Sequence, residues 1–116
     1  MIFSARLSAE KIRSMGRAAL MAVTSADAAM KAAGIMEESI LRSGRCGVSY
    51  GSSTGSVNAL LDFYSMLTMN KVAGITATTY IKAMPQTCAV NIGVFFGLTG
   101  RLISTNTACT SGSLAV

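Results

Sequence analysis

Leu102-Ile103-Ser104-Thr105-Asn106-Thr107-Ala108-Cys109-Thr110-Ser111-Gly112-Ser113 is the stretch whose reading decides the fold. Apolar and β-branched residues at 102–105 predict a strand, and Ala108 to Gly112 predict the turn into another helix. A cysteine at such a turn meets the positive end of the helix, which favours thiolate over thiol. The small residues that follow Cys109 leave room for a substrate at the sulfur. Backbone N–H groups at the turn can also face an oxyanion. A lone cysteine is more often a small buried hydrophobe of a protein core. On chemistry alone that is the commoner reading, and Cys109 as a nucleophile is the sharper one.

Working outward, Pro85 suits the first turn of a helix that carries Val90, Val94, Phe95 and Phe96 and ends near Gly97. Asn70 to Thr78 reads as a polar connection. A helix is predicted over roughly Val57 to Met69, with Leu60, Leu61, Tyr64, Met66 and Leu67. Before it, Cys46 to Gly51 reads as a short strand running into the loop Gly51-Ser52-Ser53-Thr54-Gly55-Ser56. That loop lies where phosphate-binding loops occur, but it has neither the Gly-Lys-Ser/Thr ending nor the GxGxxG spacing. A tight turn with close backbone packing, or the lining of another site, is the better reading. Glu37 to Arg42 predicts a helical turn closed by Gly44.

From Ser8 the apolar residues Ile12, Met15, Ala19, Ala22, Ala26, Ala29 and Ala33 recur at spacings of three and four, one continuous helical face. Ser8 is the expected N-cap and Gly34 the left-handed C-terminal residue. Leu20, Met21 and Val23 widen the stripe, so the second half is expected to be buried on most sides. A coiled coil shows the same period, but alanine at nearly every seam position makes a weak one. Helices alternating with short strands argue for an α/β fold. There is no internal repeat, linker or low-complexity segment.

The composition is unlike that of a free-standing domain. Charged residues are 13% of the 116, against about 25% in typical soluble domains. Hydrophobic residues are 51%, mean hydropathy is +0.50, and the apolar finish Leu114-Ala115-Val116 has no polar tail. An interior piece of a larger soluble protein is expected rather than a membrane protein. The longest uncharged stretch, Ala83 to Gly100, holds Pro85, Gln86, Asn91 and glycines, whereas a spanning helix needs about 20 predominantly apolar residues. Met1 to Arg6, without a positive flank leading into a long apolar core, is not expected to be a signal peptide. Three widely spaced cysteines, without a CxxC or other metal-ligand spacing, point to a reducing, cytoplasmic compartment.

The histidine count is zero, which removes the commonest general base and the commonest metal ligand together. Of five carboxylates, only Glu37 and Glu38 are adjacent. If the chain belongs to an enzyme, much of the acid–base equipment is therefore expected elsewhere. The net charge of +5 fits an acidic partner. The bases are scattered, with no aromatic-basic interleaving, which argues against nucleic acid.

Thr107 to Ser113 resembles the active-site cysteine motif of the β-ketoacyl-[acyl-carrier-protein] synthases, the condensing enzymes of fatty acid synthesis. Phe95-Phe96-Gly97-Leu98-Thr99-Gly100-Arg101 resembles the segment that leads to the family's nucleophile strand. Gly47 to Gly55 resembles its glycine-rich strand and loop. Lys11-Ile12-Arg13-Ser14-Met15 and the alanine-rich run after it resemble its first long helix. The four segments are collinear.

The resemblance implies a thiolase-like α/β fold in two similar halves, each a mixed sheet with packed helices. Residues 1–116 would form part of the N-terminal half, ending just after the nucleophile. It implies Cys109 as the nucleophile, its backbone N–H as half of an oxyanion hole, and two histidines beyond residue 116. It implies no metal or organic cofactor, an acyl carrier protein and a homodimer partner. Thr54 and Thr79 match acyl-pocket positions. Arg13 matches a carrier-binding base and Lys71 lies in a loop where others occur, although Arg13 and Arg17 also read as a plain solvated helix face. Cys46 and Cys88 match nothing catalytic. A thiolase or polyketide synthase domain would share the cysteine turn, and a non-catalytic partner subunit would typically lack the cysteine. The fragment alone is expected to be inactive.

Overall fold

The computed structural model describes residues 9–116. Its elements run α1 (Ala9–Ile12), α2 (Arg17–Ala32), α3 (Glu38–Leu41), β1 (Val48–Gly51), α4 (Val57–Met69), α5 (Ala77–Ala83), α6 (Thr87–Phe96) and β2 (Leu102–Thr105). Two 3₁₀ turns follow, Ala108–Thr110 and Ser113–Ala115. β1 and β2 pair in parallel, with Val48 opposite Leu102 and Gly51 opposite Thr105. Parallel strands need a long crossover, and α4, α5 and α6 supply it.

The order of layers follows from burial. α6 lies between α2 and the strands and buries Thr87, Cys88, Ala89, Asn91, Ile92, Gly93 and Phe96. A helix covered on opposite sides has to be apolar almost all round. Its partner α2 contributes Ala19, Ala22, Val23 and Met30, and the alanines let the two helix axes approach closely. Gly93 faces β2, where an added Cβ would stand 2.7 Å from Leu102 Cδ2. Asn91 is buried but satisfied: its amide donates to Thr87 O (2.8 Å) and Thr87 Oγ1 (3.0 Å), and its oxygen accepts from Ser14 Oγ (2.9 Å).

Several expectations need correction. The helix expected from Ser8 to Gly34 is two helices, broken over residues 13–16. Gly16 caps α2 in an extended conformation (ψ 179°), and a Cβ on it would collide with Ser56 Cβ. Close approach of the β1–α4 loop therefore overrides the helical period. The Ser8 cap lies outside the described residues, while Gly34 is left-handed as expected (φ +68°). Burial is also one-sided. Asp27 and Met30 are inside, Ala29 and Ala33 are exposed, and Met21 is 63% exposed. The acid is tolerated there because Lys31, one turn on, pairs with it.

The third correction is α5, which begins inside the polar connection expected at 70–78 and continues into chain with no expected element. It begins with a capping box in which Thr76 Oγ1 accepts from Thr79 N–H (3.3 Å) and Thr79 Oγ1 from Thr76 N–H (3.2 Å). Threonine stands where the usual signature has Glu or Gln, so the start was not visible. Pro85 does not open α6 directly. It forces Met84 into an extended conformation (ψ 136°), ends α5, and sits in the turn before Thr87. Fourth, the helix expected after Cys109 is two 3₁₀ turns. α4, β1 and β2 fall where they were expected.

Candidate active site

β2 delivers the chain to Cys109 at its C-terminal end. Thr105 ends the strand, Asn106 and Thr107 leave it, and Ala108 turns with φ +50°. An alanine in this left-handed region costs roughly 1–2 kcal/mol, so something must hold it there. Ser111 does. Its Oγ accepts from Thr107 N–H (2.9 Å) and donates to Ala108 O (2.7 Å), and its own N–H donates to Ala108 O (3.1 Å). Thr105 Oγ1 donates to Ser111 O (2.8 Å). Thr110 Oγ1 donates to Thr107 O (2.8 Å). Within this knot Cys109 is exposed and Ser111 is 3% exposed.

β1 supports the knot from below. Ser52 N–H donates to Thr105 O (3.2 Å), continuing the parallel ladder. A Cβ on Gly51 would land on the Ser111 carbonyl, so the strand passes directly under the turn only because residue 51 is glycine. The glycine-serine-threonine loop beyond it is no phosphate cradle. Gly55 N–H donates to Ala83 O (3.1 Å) and Ser56 N–H to Lys82 O (2.7 Å), both at the end of α5. The close-packing reading holds.

Thr54 lies in this loop and is exposed, with its carbonyl accepting from Ser52 Oγ (2.6 Å). Thr79 is buried at the start of α5, its hydroxyl engaged with Thr76. Loop and α5 are joined, but at the end of the helix remote from Thr79. Between α5 and α6 an apolar cavity of about 150 Å3 is lined by Tyr80, Ile81, Met84, Gln86, Thr87 and Val90. No sequence signal marks this cavity, because α5 starts on a capping box built from two threonines. Arg13 is exposed in the turn between α1 and α2. Lys71 is exposed and lines a shallow polar cavity with Asp62, Ser65 and Ile75.

The other cysteines differ from Cys109. Cys88 is fully buried and Cys46 half-buried against the core. Burial pushes the Cys88 thiol above its ordinary pKa. Tyr50 on β1 is raised too, by burial first and then by the neighbouring Cys88. Among the described residues no three His, Cys, Asp or Glu side chains gather where they could hold a metal ion. None of the described helices is long and apolar enough to cross a membrane.

The arrangement is that of a thiolase-like fold, with a cysteine presented at the end of a parallel strand. Comparison with known proteins agrees. The profile of the family "Beta-ketoacyl synthase, N-terminal domain" matches residues 3–116, and the chain belongs to that family. The crystal structure of a β-ketoacyl synthase from Burkholderia phymatum STM815 superposes with a TM-score of 0.84 at 40% identity. The match covers 92% of this chain and 26% of that one. Nodulation protein E of Rhizobium leguminosarum bv. trifolii is 28% identical over 107 residues, 92% of this chain and 26% of that protein. The chain thus spans about a quarter of the length of these relatives.

Proposed function

We propose that residues 1–116 are part of the N-terminal half of a 3-oxoacyl-[acyl-carrier-protein] synthase of fatty acid biosynthesis, a cytoplasmic homodimer without metal or organic cofactor. The observation that carries this is Cys109. It is exposed on a constrained turn at the end of a buried-helix-backed parallel strand, inside a family-matched chain. Its sulfur attacks the carbonyl of an acyl-carrier thioester. The new carbon–sulfur bond forms as the carrier's breaks, and the thiol proton leaves with the carrier sulfur. The tetrahedral oxyanion is met by the Cys109 N–H. Malonyl-[acyl-carrier protein] then loses carbon dioxide, and its carbanion takes the acyl group, releasing the Cys109 thiolate and the 3-oxoacyl product. The imidazoles that assist decarboxylation belong to the remainder of the synthase, since this chain has no histidine.

Thr54 and Thr79 are proposed to face the acyl chain, and Arg13 and Lys71 the acidic carrier protein. The presence of Cys109 speaks against a non-catalytic partner subunit. The test is acylation of the full-length synthase by a radiolabelled acyl-carrier substrate. Label is expected on the peptide holding Cys109, and a Cys109→Ala variant is expected to lose both label and condensation by at least a thousandfold. Label retained elsewhere in that variant, with turnover intact, refutes the assignment.

A further inference from the structure

Ser111 does more than close a turn. Among the described non-glycine residues only Asn70 and Ala108 have positive φ. Asn70 ends α4 as an ordinary left-handed cap. Ala108 ends no helix, and a strained backbone of this kind persists only where its surroundings over-determine it. Two hydrogen bonds converge on the Ala108 carbonyl, from Ser111 Oγ (2.7 Å) and Ser111 N–H (3.1 Å). The same Oγ accepts from Thr107 N–H (2.9 Å), so one hydroxyl spans the whole bend. Ser111 is itself immobilised by burial, by Thr105 Oγ1 on its carbonyl, and by Gly51 packed beneath it.

The consequence lies in the peptide unit. The Ala108 carbonyl and the Cys109 N–H belong to the same planar trans peptide and point in opposite directions. Drawing the carbonyl to the buried Ser111 therefore turns the Cys109 N–H the opposite way, away from the serine. We propose that Ser111 is a positioning residue that aims the Cys109 N–H at the developing oxyanion by holding the Ala108 carbonyl. This rests on the reading of Cys109 as the acyl acceptor. Ser111 would touch neither substrate nor the reacting atoms.

Ser111→Ala, Ser111→Thr and Ser111→Val variants of the full-length synthase test it. Threonine and valine share a shape and differ in the hydroxyl. Ser111→Ala and Ser111→Val are expected to slow acyl transfer to Cys109 at least tenfold in kcat, with KM for the acyl-carrier substrate unchanged within twofold. Ser111→Thr should stay within threefold of wild type. Alkylation of Cys109 by iodoacetamide, a displacement that develops no carbonyl oxyanion, should change less than threefold in all three. Amide exchange at Thr107 should quicken at least tenfold in Ser111→Ala. Equal losses in the threonine and valine variants, through misfolding or otherwise, overturn the proposal. So does acyl transfer and alkylation falling together, or acyl transfer at the wild-type rate once Thr107 exchange has quickened. Should wild-type Cys109 accept no acyl group, the functional reading fails by itself. Thr107 exchange then still reports whether Ser111 clasps the turn, and unchanged exchange removes the clasp.

Discussion

Three cysteines of one chain differ because their surroundings differ. Cys88, on α6, is fully buried in the core, and its raised pKa records the cost of a thiolate there. The folded protein keeps that proton at pH values where the unfolded chain has lost it. The contribution is fully present below the ordinary thiol pKa and is lost as pH rises through the raised one. Tyr50, raised beside it, extends the same alkaline arm. Urea unfolding of the full-length protein between pH 7 and 10 should show stability falling with pH, and Cys88→Ala should flatten the fall. An equally steep decline in the variant contradicts this account. Arg13, exposed in the α1–α2 turn, belongs to the same scale. Arg13→Glu should raise KM for acyl-carrier substrates severalfold at low salt, less at high salt, and leave kcat unchanged. Identical steady-state kinetics at low ionic strength would make it a plain surface residue.

Elements meet here through glycines, and the partner atom decides what a methyl group there would do. At Gly51 the obstacle is the Ser111 backbone, with Gly112 N 2.7 Å from the added carbon, so the turn around Cys109 must itself move. At Gly93 it is the tip of the Leu102 side chain, which can swing aside. Alanine at residue 93 also regains roughly 1 kcal/mol of helix propensity. Gly51→Ala is therefore expected to cost about 3 kcal/mol and to abolish acyl transfer. Gly93→Ala should fall within about 1 kcal/mol of wild type and remain active. Denaturant midpoints and acylation rates of the two variants, measured side by side, check the contrast.

At the scale of the whole molecule, too much surface is apolar and too much surface is exposed. The accessible area is 7574 Å2 for 12.0 kDa, against roughly 6,000 Å2 for a compact monomer of that mass. The radius of gyration is 15.4 Å, where about 13 Å suits a domain of this length. Leu61, Tyr64, Leu67 and Met69 stand exposed on α4, Leu67 by 77%, and of the residues in that helix only Ala59 is buried. Exposed apolar side chains clustered on one helix favour association. A purified protein of residues 1–116 is expected to scatter light as oligomers and to show no condensing activity, having no histidine. A monodisperse, cooperatively melting monomer contradicts the first expectation, and turnover above a Cys109→Ala control the second.

Local chemistry was legible in the sequence. β-branched residues at 102–105 marked β2, the apolar run after Ser56 marked α4, and glycines 34, 44 and 97 marked left-handed helix ends. The motif around Cys109 carried the resemblance that the family match bears out. These features are set by neighbours within a few residues, so sequence alone determined them. The break at Gly16, the start of α5 and the cavity behind it were not legible, because each depends on a residue far along the chain or on an unusual cap. The bend before Cys109 is the clearest case. A turn over Ala108 to Gly112 is the local expectation, but its left-handed form is not: Ala108 stands at φ +50° because a buried Ser111 binds its carbonyl and Gly51 of another strand lies beneath. Only the tertiary structure could decide this, because a strained residue is held by its surroundings and not by its own preference.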